Sequence, residues 1–423
     1  MKRISASILV LIALCITNAH AQQVHIDIEA SGFRKFKVAM PAYAGAPDMA
    51  GSVWAVCARD FLISGIFDVI PSQSYVNPGP LAEVAPGTLK DWSLIGADYV
   101  VTATVGRQGQ SGFFRVQVTE IASAQVLMST MYTTSPDTMY RAVHSFMNDF
   151  LKDKFGLDGI FTSKIVAVKK DKGKQLYTAY CDGTGGSTIA TGGSLVLGPK
   201  WSPDGRQIAF VSYIRNNPDL YLLDLATGKQ RVLSSQKGIN TSPAFDPTGK
   251  RIACTLSIDG NPEIYLLDTV GGGKSKLTTS WSIDTSPAFS PDGRKMVFCS
   301  SRAGSPQIYS MDLATKNVQR ISYEGTYNSE PAYSPKGDLV AFSYLEKGGR
   351  YHIALVRPDG SNFRVLPGTG LGDESPTFSP DGRLIAFAAG DGNLYVTDLL
   401  GTAPVKITSG GSFSEPHWSI SKM

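Results

Sequence analysis

Pro287-Ala-Phe-Ser-Pro-Asp-Gly293 decides the fold, because the chain repeats it. Pro199-Lys-Trp-Ser-Pro-Asp-Gly205 and Pro243-Ala-Phe-Asp-Pro-Thr-Gly249 come before it, and Pro331-Ala-Tyr-Ser-Pro-Lys-Gly337 and Pro376-Thr-Phe-Ser-Pro-Asp-Gly382 after it. Pro416-His-Trp-Ser419 opens a sixth copy and stops there. From Pro199 onward the spacings are 44, 44, 44, 45 and 40 residues. A period of that size with several short strands per unit predicts a blade of a β-propeller, of the WD40-like kind.

Each copy has the same internal order. The Pro-x-aromatic-Ser tract predicts a first strand, and Pro-Asp-Gly a tight turn in which Gly supplies a positive φ. Second strands read Gln207-Ile-Ala-Phe-Val211 or Lys295-Met-Val-Phe-Cys299, and third strands Leu220-Tyr-Leu-Leu-Asp224 or Ile308-Tyr-Ser-Met-Asp312. Fourth strands follow, such as Gln230-Arg-Val-Leu233. The last copy supplies only a first strand, so its partners must precede the first repeat. Lys164-Ile-Val-Ala-Val168, Gln175-Leu-Tyr-Thr-Ala179 and Ser187-Thr-Ile-Ala-Thr191 fit those roles. Residues 164–191 and 412–419 are therefore expected to form one composite blade that closes a ring of six and removes its open edges. The propeller would span residues 161–423.

Residues 22–160 lack the repeat and predict a smaller α/β domain, with helices on a mixed sheet. Asp48 is placed to cap a helix whose inner face carries Met49, Val53, Val56, Cys57 and Phe61. Pro136 starts a second long helix, with Tyr140, Val143, Met147, Phe150 and Leu151 inward and a stop at Gly156. His144, on the inner half of that helix, reads as a structural histidine.

The first residues, 1–21, predict a signal peptide: Lys2 and Arg3, the apolar run Ile8–Ile16, then Ala19-His-Ala21 before Gln22. The run is too short for a membrane span. Without Lys2 and Arg3 the balance is 38 basic against 36 acidic side chains. No basic cluster interleaves with aromatics, so nucleic acid is not an expected partner. Cys57, Cys181, Cys254 and Cys299 would lie in an oxidising compartment. The blade register nevertheless puts Cys254 where other copies carry core Phe, so free thiols are expected.

Catalytic signatures are missing. There is no G-x-S-x-G nucleophile elbow. His25, His144, His352 and His417 do not show metal-ligand spacing. Gly271-Gly-Gly-Lys-Ser275 has the end of a phosphate loop but Asp268 in place of its first glycine, and it falls in a turn between strands. Asp204, Asp292 and Asp381 are expected to bond their own turns. No cofactor and no metal is called for.

What remains is surface. With four antiparallel strands per blade, the loops before the first strands ring one channel mouth, and the Pro-Asp-Gly turns lie on the opposite face. The mouth loops contain Ile239, Asn240, Thr241 and Ser242; Asp284, Thr285 and Ser286; Asn328, Ser329 and Glu330. Asp284, Glu330, Asp373, Glu374 and Glu415 are expected to converge there as an acidic docking surface.

The order of signal peptide, small α/β domain and Ser-Pro-Asp-Gly blades resembles the TolB family, the periplasmic propeller proteins of the Tol–Pal cell-envelope system. Val38-Ala-Met-Pro-Ala-Tyr43, Ser64-Gly-Ile-Phe67, Trp92 with Gly96-Ala-Asp98, Ala142-Val-His144 with Asn148-Asp149, and Gly159-Ile-Phe161 carry the likeness in the front domain. The resemblance implies a non-enzymatic adaptor, monomeric and not inserted in the membrane. It would bind the lipoprotein Pal at the mouth, through loops 239–242, 284–286 and 328–330 with Glu374 and Glu415. It further implies TolA binding by the leading segment Gln22, Gln23, Val24, His25, Ile26, Asp27 and Ile28. That segment alternates like a strand able to add to another sheet. Other outer-membrane proteins are further candidate partners. Outer-membrane integrity and constriction at division would be the role. Two alternatives stay open: a propeller enzyme acting on envelope polysaccharide, and a carbohydrate-binding module, for which Tyr327 and Phe413 are candidate mouth aromatics.

Overall fold

The computed structural model describes residues 34–76, 79–171, 173–192 and 195–419. The predicted signal peptide and the segment Gln22–Ile28 lie outside the described residues.

The front domain runs β1 (Phe36–Ala39), β2 (Ala44–Gly45), α1 (Pro47–Ile63), β3 (Phe67–Val69), α2 (Leu89–Leu94), β4 (Tyr99–Gln108), β5 (Ser111–Glu120), β6 (Gln125–Thr134) and α3 (Met139–Phe155). Its sheet has the order β3-β1-β4-β5-β6, with β2 also on β4. The β1, β2 and β3 pairings are parallel, and β4-β5-β6 is an antiparallel meander. Helices α1 and α3 pack together over one face of it. The mixed sheet with helices is as expected. One detail differs: Asp48 does not cap α1. The helix starts on Pro47 after Ala46, with no side-chain cap, and Asp48 pairs instead with Arg107 at 2.6 Å. Proline at the first helical position has no N–H to leave unsatisfied, so the cap is dispensable. Gly156 ends α3 at φ 67°, a left-handed stop.

Behind it stand six four-stranded antiparallel sheets, the blades. Blade six is composite: Phe413–Trp418 pairs with Lys164–Asp171, which continues into Gly173–Tyr180 and Ser187–Ile189. Trp418 fastens the junction, its indole N–H donating to Ser163 Oγ at 2.7 Å. The turn aspartates act locally as expected: Asp204, Asp292 and Asp381 each accept from the Ser two residues before and the backbone N–H two residues after. The four described cysteines are free and buried.

The apolar core of the front domain does not end at its boundary. Phe61, Phe146, Phe150 and Phe161 belong to one cluster with Ile165, Leu384, Val396, Ile407 and Trp418 of blades five and six.

Candidate functional site

The innermost strand of every blade breaks its ladder at the same place. The register slips between Leu197 and Lys200, Thr241 and Ala244, Thr285 and Ala288, Ser329 and Ala332, Glu374 and Thr377, and Ser414 and His417. At each slip the residue before the proline is left-handed: Gly198, Ser242, Ser286, Glu330, Ser375 and Glu415 have φ between 52° and 57°. Proline cannot donate to a ladder and disfavours the helical region in its predecessor, so a bulge at an inner edge accommodates it. The bulge turns these six residues, five of them with side chains, toward the central channel, where they line a cavity of about 320 Å³ at the mouth end. At the turn end a second cavity of about 340 Å³ is lined by one aromatic per blade, from Trp201 to Trp418.

Two carboxylates reach the channel wall. Glu330 accepts from Ser343 Oγ at 2.9 Å, Ser375 Oγ at 3.0 Å and Ser375 N–H at 3.1 Å. Glu415 accepts from the Gly198 N–H at 2.5 Å, and burial lifts its carboxyl above the usual range despite that bond. Partial desolvation at the mouth edge raises Glu374 as well, although its side chain reaches solvent, with the Glu330 charge adding to the effect. Lys200 faces these acids; burial lowers its ammonium against their pull. His417 Nδ1 accepts from the Trp201 N–H at 3.1 Å, and burial, then Lys200, keeps its ring neutral. Sequence reasoning passed over Lys200 and His417. A signal existed: after the proline, three copies carry Ala244, Ala288 and Ala332, while these two carry ionisable groups.

The expected convergence of acids needs correction. Asp284 and Asp373, with Asn240 and Asn328 at the equivalent positions, are fully buried. Each fixes its own loop. Asn240 bonds Ser234, Gln236 and Gly238; Asn328 bonds Gln307 and the Glu324 carbonyl; Asp373 bonds Thr369. Asp284 pairs with Arg302 at 2.8 Å. Glu330 and Glu415 do meet in the channel, and Glu374 stays exposed at the rim. Thr241, Thr285 and Ser329 are half-buried between them.

The rim also carries exposed apolar side chains. Ile239, Ile283 and Tyr327 occupy the same place in successive blades and are exposed, as is Leu371. Trp281, two residues before Ile283, is 83% exposed. Phe413, expected at the mouth, is buried against the Tyr177 ring at 4.9 Å. Among the described residues one group brings three potential metal ligands within 4.8 Å of one another: Asp60, His144 and Asp182. It lies between the domains, away from the channel.

Fold and site together define a class: a small α/β domain joined to a six-bladed propeller whose polar channel opens inside a rim with exposed apolar side chains. The sequence matches the profile described as the TolB beta propeller domain over residues 153–422 and the TolB amino-terminal domain over residues 24–127. The chain belongs to the TolB family. It is similar to the crystal structure of TolB from Acinetobacter baumannii, with a TM-score of 0.78 and 27% identity, covering 91% of this chain and 97% of that one. The Tol-Pal system protein TolB of Polaromonas sp. (strain JS666 / ATCC BAA-500) is 33% identical over 239 residues, 56% of this chain and 55% of that protein. The protein of the same name from Dechloromonas aromatica (strain RCB) is 30% identical over 245 residues, 57% of this chain and 56% of that protein. The chain spans about half the length of these curated relatives.

Proposed function

We propose that this chain is a periplasmic, non-enzymatic adaptor of the Tol–Pal system. It binds the lipoprotein Pal at the propeller mouth and TolA through Gln22–Ile28, maintaining the outer membrane and its constriction at division. The mouth carries the reading. An apolar arc of Ile239, Ile283 and Tyr327, with Trp281 beside it, surrounds a channel with hydrogen-bonding walls. Exposed Trp and Tyr are the side-chain types that carry most binding energy where proteins meet, which fits protein recognition. Buried Asn240, Asp284 and Asn328 then contribute by holding the loops in shape, and Ile239, Thr241, Ser242, Thr285, Ser286, Ser329, Glu330, Glu374 and Glu415 by contact.

Calorimetric titration with purified Pal tests the mouth. Trp281→Ala or Ile283→Asp should weaken binding by about 1–3 kcal/mol, roughly 5- to 160-fold. Val270→Asp, in a loop of the opposite face, should leave it unchanged. Equal affinities in all three variants would exclude the mouth. Deleting residues 22–32 should abolish TolA binding while sparing Pal.

The exposure of Trp281 and Tyr327 also favours a second reading, a platform for envelope polysaccharide, since sugars stack on open aromatic faces. Titration with envelope glycan separates the two readings: heat from glycan and none from Pal would favour the platform.

A further inference from the structure

The two domains share an apolar core, but apolar contact is non-directional and does not by itself set the angle at which they meet. At their seam lie Asp60 from α1, His144 from α3 and Asp182 from the turn after the blade-six strand Gly173–Tyr180, all fully buried. His144 Nδ1 is 2.8 Å from Asp60 Oδ2, and Nε2 is 2.9 Å from Thr184 Oγ1. The same hydroxyl is 2.7 Å from Asp182 Oδ1, and the Thr184 N–H donates to that oxygen at 2.9 Å.

Proton counting fixes the state of the ring. Thr184 has one hydroxyl proton. If it went to Nε2, the hydroxyl oxygen and the Asp182 carboxylate would face each other as two acceptors. The hydroxyl therefore donates to Asp182, and Nε2 donates to the hydroxyl. Nδ1 donates to Asp60 Oδ2, and Oδ1, which has no partner among the described residues, is where that carboxyl takes up a proton in acid. The ring carries both protons, an imidazolium between two acids from different domains. Both nitrogens are thereby used, which argues for a proton rather than a metal ion at this place.

We infer that His144 is a charged rivet that sets the angle at which the propeller docks on the front domain, and that loss of a ring proton releases that angle. Buried ion pairs are costly to desolvate, and fixing one geometry among several is their best-attested return.

Other groups face the ring from each packed element. Arg59 of α1 donates to the Asp182 carbonyl at 3.0 Å, and the Cys57 thiol lies near Asp60. Blade six brings Cys181 and Tyr180, whose ring is 5.2 Å from the imidazole, and Asp381 of blade five acts on Cys181. Tyr140 lies on the same helix at 5.9 Å, with Arg141 beside it, and Phe161 stacks at 6.3 Å. Burial opposes the imidazolium, but the Asp60 charge, the approach of Asp182 Oδ1 to 3.4 Å from Nε2 and the bond to Asp60 outweigh it and raise the ring to about 10. Burial raises Asp60 to about 7 against the pull of His144. Both shifts have one sign. A histidine raised in the folded state contributes fully below its ordinary value of 6.5 and loses that contribution as pH climbs to about 10. A raised carboxyl likewise favours the folded state at the acid end and weakens it as pH rises to about 7. Asp182 is shifted the other way: burial pushes its carboxyl up, but His144 and Thr184 outweigh burial and lower it, so its contribution is lost at the acid end. The seam is tightest in mild acid and loosens in alkali.

Spin labels at Leu94→Cys in the front domain and Val270→Cys on the propeller test this by pulsed electron-electron distance measurement. Both sites are exposed, and the four native thiols are buried. One narrow distribution is expected at about pH 6, shifting or broadening toward about pH 10. Asp182→Asn and Thr184→Val should give the shifted or broadened distribution already in mild acid, with circular dichroism unchanged. If Asp182→Asn does not fold, Thr184→Val decides, because it keeps every charge. A distribution identical in the parent and Thr184→Val across that range overturns the inference, as does a stoichiometric metal ion in the purified protein.

Discussion

Arg302 illustrates how the mouth spends much of its charge internally. It covers Asp284, which has no solvent exposure, and its guanidinium stacks over the Phe298 and Tyr309 rings at 5.3 and 5.0 Å. Arg302→Ala would strand a buried carboxylate, so a loss of about 3–5 kcal/mol in chemical denaturation is expected. Adding Asp284→Asn should recover much of it, because Asn240 and Asn328 already fill the same position in the neighbouring blades. A second residue-scale test concerns Gly183, left-handed at φ 89° with the Ile407 carbonyl where a Cβ would go. Gly183→Ala combines strain with overlap against backbone and should cost about 2–4 kcal/mol. A melting temperature unchanged from the parent would show that blade six yields there.

The first strand of each blade is the element on which sequence reading succeeded and then failed. The repeat, the four-strand order and the two ends of blade six were legible from tracts such as Lys164-Ile-Val-Ala-Val168 and Pro416-His-Trp418, because hydrophobic alternation and turn residues mark strands locally. Which mouth residues point outward was not. The repeat places these residues in loops before the first strands, but Asn240, Asp284 and Asp373 open those strands and are buried there. The left-handed residue before each proline then re-aims the side chains that follow. Asp284 and Asp373 were thus expected at the surface and lie beneath it. Asp60 and Asp182 could not have been paired from the sequence at all, since only the fold brings α1 to blade six. The bulge also predicts tolerance. Gly198 is its one glycine, and an added Cβ there meets only Pro243 Cδ, at 3.7 Å. Gly198→Ser should therefore cost no more than about 2 kcal/mol by denaturant titration, the ordinary penalty for a left-handed side chain.

At the scale of the whole molecule, the two ends of the propeller sequence hold each other. Without residues 412–423 the strand Lys164–Asp171 would lose its partner and present an open edge beside the core shared with the front domain. Such a truncation should give a broad, non-cooperative calorimetric transition and aggregation visible by light scattering. A sharp, monomeric melt would mean that five blades close without the sixth. The junction also orders events in time. Trp418 and Ser163 bond across a sequence separation of 255, and contacts that distant form slowly because a long loop must close first. A chain that emerges with its amino end leading cannot complete this ring until the strand Phe413–Trp418 has followed. Arrival of that strand is the moment at which the propeller first becomes whole.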